Sequence, residues 1–191
     1  MIFRLSQKMT AKVKPGVLEV LSIHENPLLD WSAHLFPVGR RQFVLLSNTG
    51  SLLSAVVPCQ GVTSKPRFRE LAFDGIRQCM ESNGFESFAL RVVVPDSESV
   101  RFAKALNRSV SGSMNELIKC AEVCMSEGEL TLPEVGDRLN DMLLSALAAG
   151  GSHGYGKPRE AFRVMVGGSV TNALRREVGD RHHGHEQLPP D

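Results

Sequence analysis

Three features of this 191-residue chain predict an α+β fold. Three short apolar runs lie between Trp31 and Pro58, polar turns divide them, and helix-period stretches follow. The expected architecture is an antiparallel β-meander sheet covered mainly on one face by three helices. Its other face is expected to be partly open or used for homodimer contacts.

The elements follow in order. Ile2-Phe3-Arg4-Leu5 is short and apolar enough for a strand. Ser6 then offers an N-cap to a basic helix, QKMTAKVK, which Pro15-Gly16 stops. Val17 to Ile23 reads as strand or loop, and His24-Glu25-Asn26-Pro27 as a polar turn. Within the meander, Gly39 with Arg40 supplies the first turn and Asn48-Thr49-Gly50 the second. Asn and Gly tolerate the positive φ that tight hairpins require. Phe43-Val44-Leu45-Leu46 is apolar on both faces, as suits a central strand beneath a helix layer.

A first amphipathic helix spans Pro66 to Asn83, with Phe68, Leu71, Ala72, Ile76, Cys79 and Met80 on one stripe before Gly84. Leu90 to Val94 reads as a strand broken at Pro95-Asp96, whereas Val100 to Leu106 fits strand and helix about equally. Ser113 with Glu116, and Thr131 with Glu134, spell capping boxes ahead of two further helices. The last stripe runs Val135, Leu139, Met142, Leu143 and Leu147, and Gly150-Gly151 ends it. Residues 1–151 thus form one compact domain. Residues 152–176 are an extension in which Phe162 to Val166 docks as a strand or short helix. The polar, proline-ended stretch 177–191 carries too few apolar groups to order itself.

Composition narrows the function classes. Hydrophobic residues make up 42% and charged residues 23% of the chain, the balance of an ordinary globular domain. A formal net charge of +1 is not that of a polycation, so nucleic-acid binding would need a local basic patch. No apolar run reaches the roughly 18 residues of a membrane span. MIFRLSQKMTAKVK lacks the apolar core of about 7–15 residues found in a secretory signal. The four cysteines form no CxxC pair, so reduced thiols and a cytoplasmic location are expected.

DWSAHLFPVGRRQFVLLSNTGSLLSAVV and, about fifty residues on, KALNRSVSGSMNEL together resemble a bacterial domain family of unknown function. Its members begin with a short strand and basic helix like the one here. The resemblance spans roughly residues 1 to 150, implies a single compact domain, and brings no catalytic residue with it.

The chemistry-bearing residues each admit two readings. Asn107-Arg108-Ser109-Val110-Ser111-Gly112-Ser113 leads into a helix N-terminus, where unpaired N–H groups favour an anion. Arg108 can fork onto a phosphate or carboxylate there, or Asn107, Arg108, Ser111 and Ser113 simply cap and brace the loop. Arg40 and Arg41 at the hairpin tip serve as an anion contact or as solubilising charge at a turn. His34 is a general base if a carboxylate such as Asp30 orients it, and an ordinary strand histidine otherwise. His153 beside Tyr155 poses the same choice. His182, His183 and His185 resemble a metal tract but lack a scaffold to hold tetrahedral geometry, and Cys120 and Cys124 fit core packing, so no metal or cofactor is expected. The pattern GxxxxGK[ST] does not occur, and aromatics at 6% are too sparse for a stacking platform.

The leading expectation is a non-enzymatic binding module that contacts a protein or a phosphate-bearing ligand through Arg40, Arg41 and the Asn107–Ser113 segment. The alternative is a small hydrolase or nuclease-like enzyme using His34 with Arg108. A third reading is a pure interaction partner without a small ligand.

Overall fold

The computed structural model describes residues 1–90, 99–150 and 155–168, the side chains of 148–150 excepted. Five strands, β1 (Ile2–Leu5), β2 (Asp30–Val38), β3 (Arg41–Asn48), β4 (Ser54–Pro58) and β5 (Arg101–Lys104), form one sheet in the order β4-β3-β2-β1-β5. The β2-β3-β4 meander is antiparallel, as its turns predict. β1 departs from that expectation, because it pairs parallel with both β2 and β5. A parallel neighbour needs a crossover, here supplied by α1 (Gln7–Val13) and the segment 14–29. Local sequence signals report hairpins and are silent on such pairings.

The helices α2 (Lys65–Ser82), α3 (Glu86–Phe88), α4 (Arg108–Glu127), α5 (Leu132–Asn140) and α6 (158–168) complete the described structure with two 3₁₀ turns. They cover both faces over β2–β4, correcting the expectation of three helices mainly on one face. On one side Val44 and Leu46 of β3 and Val57 of β4 pack with Phe68 and Ile76 of α2 and Met9 of α1. On the other, Phe43, Leu45 and Val56 pack with Leu117 of α4 and Leu139 of α5. The period-2 alternation of side chains makes a fully apolar strand face both layers at once. The open sheet face anticipated for dimer contacts is therefore absent over β2–β4.

Boundaries follow local chemistry where it is strong. Ser6 caps α1 by accepting from the Met9 N–H, and Thr131 with Glu134 closes the capping box of α5. α4, by contrast, starts at Arg108, with Asn107 as its cap accepting the Val110 N–H at 2.9 Å. The segment Arg108–Ser113 is thus the start of the helix rather than a loop, and Ser113 is buried inside it. α5 ends at Asn140, short of the Leu147 stripe, which continues in a 3₁₀ turn (Ser145–Gly150). β5 settles the Val100–Leu106 tie in favour of a strand, and α6 settles Phe162–Val166 in favour of a helix. At the second hairpin the left-handed residue is Leu52, with φ +60°, rather than an Asn or Gly. Its buried side chain offsets that strain by filling the core. The Leu90–Val94 reading beyond Leu90, His153 and the His182–His185 tract lie outside the described residues.

Candidate functional site

Because β1, β2 and β5 run parallel, their carboxyl ends gather at one end of the sheet. Open sheets bind ligands in the crevice outside such ends. A cleft of about 940 Å³ occupies this position between the start of α1 and one stripe of α4. β2 contributes His34 and Pro37, β5 contributes Lys104, and α1 contributes Lys8 beside its capping Ser6. The α4 wall is Ser111, Asn115, Ile118 and Glu122, one helical face by spacing. Arg108 continues that stripe one turn toward the helix N-terminus, where the macrodipole is positive.

The charges are arranged asymmetrically. Lys8, Lys104 and Arg108 are exposed, and none forms an ion pair with a described residue. Glu122 lies at the opposite end of the α4 stripe. His34 is half-buried, and burial pushes its imidazole below the usual histidine range. It is therefore neutral at pH 7 in the free protein. No described carboxylate hydrogen-bonds to it, and Asp30 is committed elsewhere.

That commitment is a feature the sequence concealed. Arg4 and Asp30 are 1% and 0% exposed and form a two-pronged pair, Nε to Oδ1 at 2.7 Å and Nη2 to Oδ2 at 2.8 Å. Arg4 also donates to the Leu21 and Ser22 carbonyls at 3.0 and 2.7 Å, and Asp30 accepts the His24 N–H at 2.9 Å. These bonds fasten segment 14–29 to β1 and β2, and Leu18 of that segment closes one wall of the cleft. Nothing local to Arg4 points to this pair, because its partner is 26 positions away.

Of the residues singled out in sequence, the cleft gathers His34 and Ser111; Arg108 does not line it and lies one helical turn before Ser111. Asn107 is spent on the α4 cap, and the Ser111 hydroxyl donates to the Asn107 carbonyl at 3.1 Å. Ser113 is buried away from solvent. Arg40 and Arg41 are exposed at the hairpin tip beyond Pro37 and line no described cleft. Lys8 and Lys104 were missed. The basic character of QKMTAKVK was a signal for Lys8; nothing local pointed to Lys104.

The four cysteines are free thiols, three buried and Cys120 half-buried. Burial raises Cys59 and Cys120 and pushes Cys79 up to about 12, so these three stay protonated and poorly nucleophilic near neutrality. Among the described helices none is long and apolar enough to cross a membrane.

A family model described as Domain of unknown function (DUF6933) matches residues 2–161. The match reaches into α6, past Gly151, where the sequence resemblance stopped. No curated protein and no solved structure matches the chain.

Proposed function

Since the chain belongs to this domain family of unknown function, we propose its role from its own cleft: a non-enzymatic binding module for an anionic, phosphate-bearing ligand. The observation that carries this reading is the convergence of Lys8, Lys104 and His34 from three elements on one opening, with neither lysine ion-paired to a described residue. Charge-assisted hydrogen bonds from such groups are about twice as strong as neutral ones. Arg108 and the α4 N-terminus add positive potential at the same end, while Glu122 sets the polarity of the far end. Arg40 and Arg41 serve a larger ligand that extends past Pro37.

A second reading, hydrolysis by His34 with Arg108, draws on the same cleft. Its weakness is chemical, because the imidazole has no described carboxylate to orient it. Thermal shift with inorganic phosphate, nucleotides and short oligonucleotides tests both readings. Saturation at about ten times Kd stabilises by roughly 1.4 kcal/mol and raises Tm by about 3–6 °C for a domain of this size. Lys8→Ala with Lys104→Ala, or Arg108→Ala, is expected to erase most of that rise. Equal shifts in wild type and variants would sink the anion site, and turnover of p-nitrophenyl phosphate lost in His34→Ala would favour the enzyme.

A further inference from the structure

The opposite edge of the sheet carries a second, smaller cleft that the proposed anion site does not use. β4 is an edge strand, and its register with β3 fixes which way each backbone group points. The Cys59 N–H donates to the Gln42 carbonyl and the Asn48 N–H to the Leu53 carbonyl, so odd-numbered residues of β4 bond inward. Even-numbered residues therefore aim their N–H and C=O groups outward, away from the sheet. At Ser54 this outward pair is satisfied by one side chain. Asn140 accepts the Ser54 N–H at 2.7 Å and donates to its carbonyl at 3.0 Å. The carboxamide imitates a single residue of a sixth strand. Two residues on, Val56 presents the same outward pair, and no described group bonds to it.

The surroundings of Val56 form a cleft of about 340 Å³ between α2 and α5. Both helices press close to β4. A Cβ on Gly75 would come within 2.5 Å of Val57 Cγ1, and one on Gly136 within 3.5 Å of the Ser54 carbonyl oxygen. What remains open is a slot along the strand edge, with Asp74 on the α2 side and Asp137 on the α5 side. Among the described residues, no lysine, arginine or histidine lines it. The nearby guanidiniums do not balance the acids, since Arg77 is shared by Asp74 and Glu81, and Arg159 by Asp137 and Asp141. Asn83, 6% exposed, adds an Oδ1 without a partner to the same wall. The slot thus pairs an unused backbone donor and acceptor with a surplus of acidic and acceptor groups.

We propose that this slot docks a short, extended, basic peptide segment, which pairs with Val56 as an added strand and sends basic side chains toward Asp74 and Asp137. Strand addition to an open edge supplies affinity through main-chain bonds and specificity through side chains on alternate faces. Adjacent residues of an extended chain point to opposite faces, so two neighbouring basic residues reach the two acidic walls. The proposal stands on a different cleft and different residues from the anion site, and either fails without the other.

The test is fluorescence polarisation of the intact chain with a labelled hexapeptide, Thr-Val-Arg-Arg-Val-Thr. Two forms of it carry N-methyl groups on alternate backbone nitrogens in opposite registers, and a further form replaces both arginines by glutamate. The proposal expects saturable binding of the parent peptide. One N-methyl register is expected to weaken it at least tenfold while the other leaves it intact, which is the signature of strand pairing. The glutamate form is expected not to bind, and Asp74→Asn with Asp137→Asn to weaken the parent at least tenfold at an unchanged melting temperature. No saturable signal up to about 1 mM overturns the proposal. Equal binding of both methylated forms, or of the glutamate form, does so as well. Displacement by agmatine alone would mark a site for small amines instead, and would equally overturn it.

Discussion

At the residue scale, the buried Arg4–Asp30 pair dominates. Removing one member of such a pair leaves the other charge buried without compensation, which costs about 3–5 kcal/mol. Arg4→Met is expected to lower the unfolding free energy by that amount in urea titration, and a loss under about 1 kcal/mol would show that Asp30 finds another partner. His34 gives a pH-dependent counterpart. Burial holds its folded pKa below the ordinary value, so the unfolded chain binds the proton first as pH falls. Stability is fully present above about pH 6.5 and declines as pH drops toward the folded value. His34→Gln is expected to flatten the fall of Tm between about pH 7 and 5, leaving the share that His24, also lowered by burial, contributes. A slope unchanged by the substitution would contradict the assignment. If phosphate occupies the cleft as proposed, its affinity is expected to depend on pH through His34, because a bound anion favours the charged imidazole. Local sequence revealed neither effect. Arg4 and His34 look like ordinary strand residues until their neighbours on other elements are known.

At the element scale, capping chemistry was the most legible signal. Ser6 and Thr131 act as their spelling implies, since a side chain that satisfies an orphan N–H does so from within a few residues. α4 shows the limit of that logic. Asn107 and Ser113 are both good caps, and the chain takes the earlier one, which brings Val110 against the cluster of Leu117 and Leu139. α6 was ambiguous for a different reason: its few apolar residues mean little without their receptor. Phe162 is fully buried, 4.9 Å from Phe85 and 6.5 Å from Trp31 by ring centroids. Phe162→Ala is expected to cost about 3–5 kcal/mol, with increased hydrogen exchange in α6 as the local readout. A cost below about 1 kcal/mol would mean that α6 is a passive appendage.

At the scale of the whole molecule, a parallel strand inserted beside a meander places the two clefts at different ends of one sheet. The carboxyl ends of β1, β2 and β5 meet where lysines gather, and the free edge of β4 lies where aspartates gather. A net charge of +1 hides this separation, because opposite patches cancel in the sum. By itself the sequence determined the meander, the helical stripes, the sharpest caps and the α+β class. Each of those is decided by contacts within about twenty residues, through periodicity, turn chemistry and capping. Only the tertiary structure decided that β1 runs parallel between β2 and β5, that helices cover both faces, and that Lys8, His34 and Lys104 share one opening. Those outcomes depend on groups up to a hundred positions apart, whose meeting is set by which apolar surfaces bury together rather than by any local pattern.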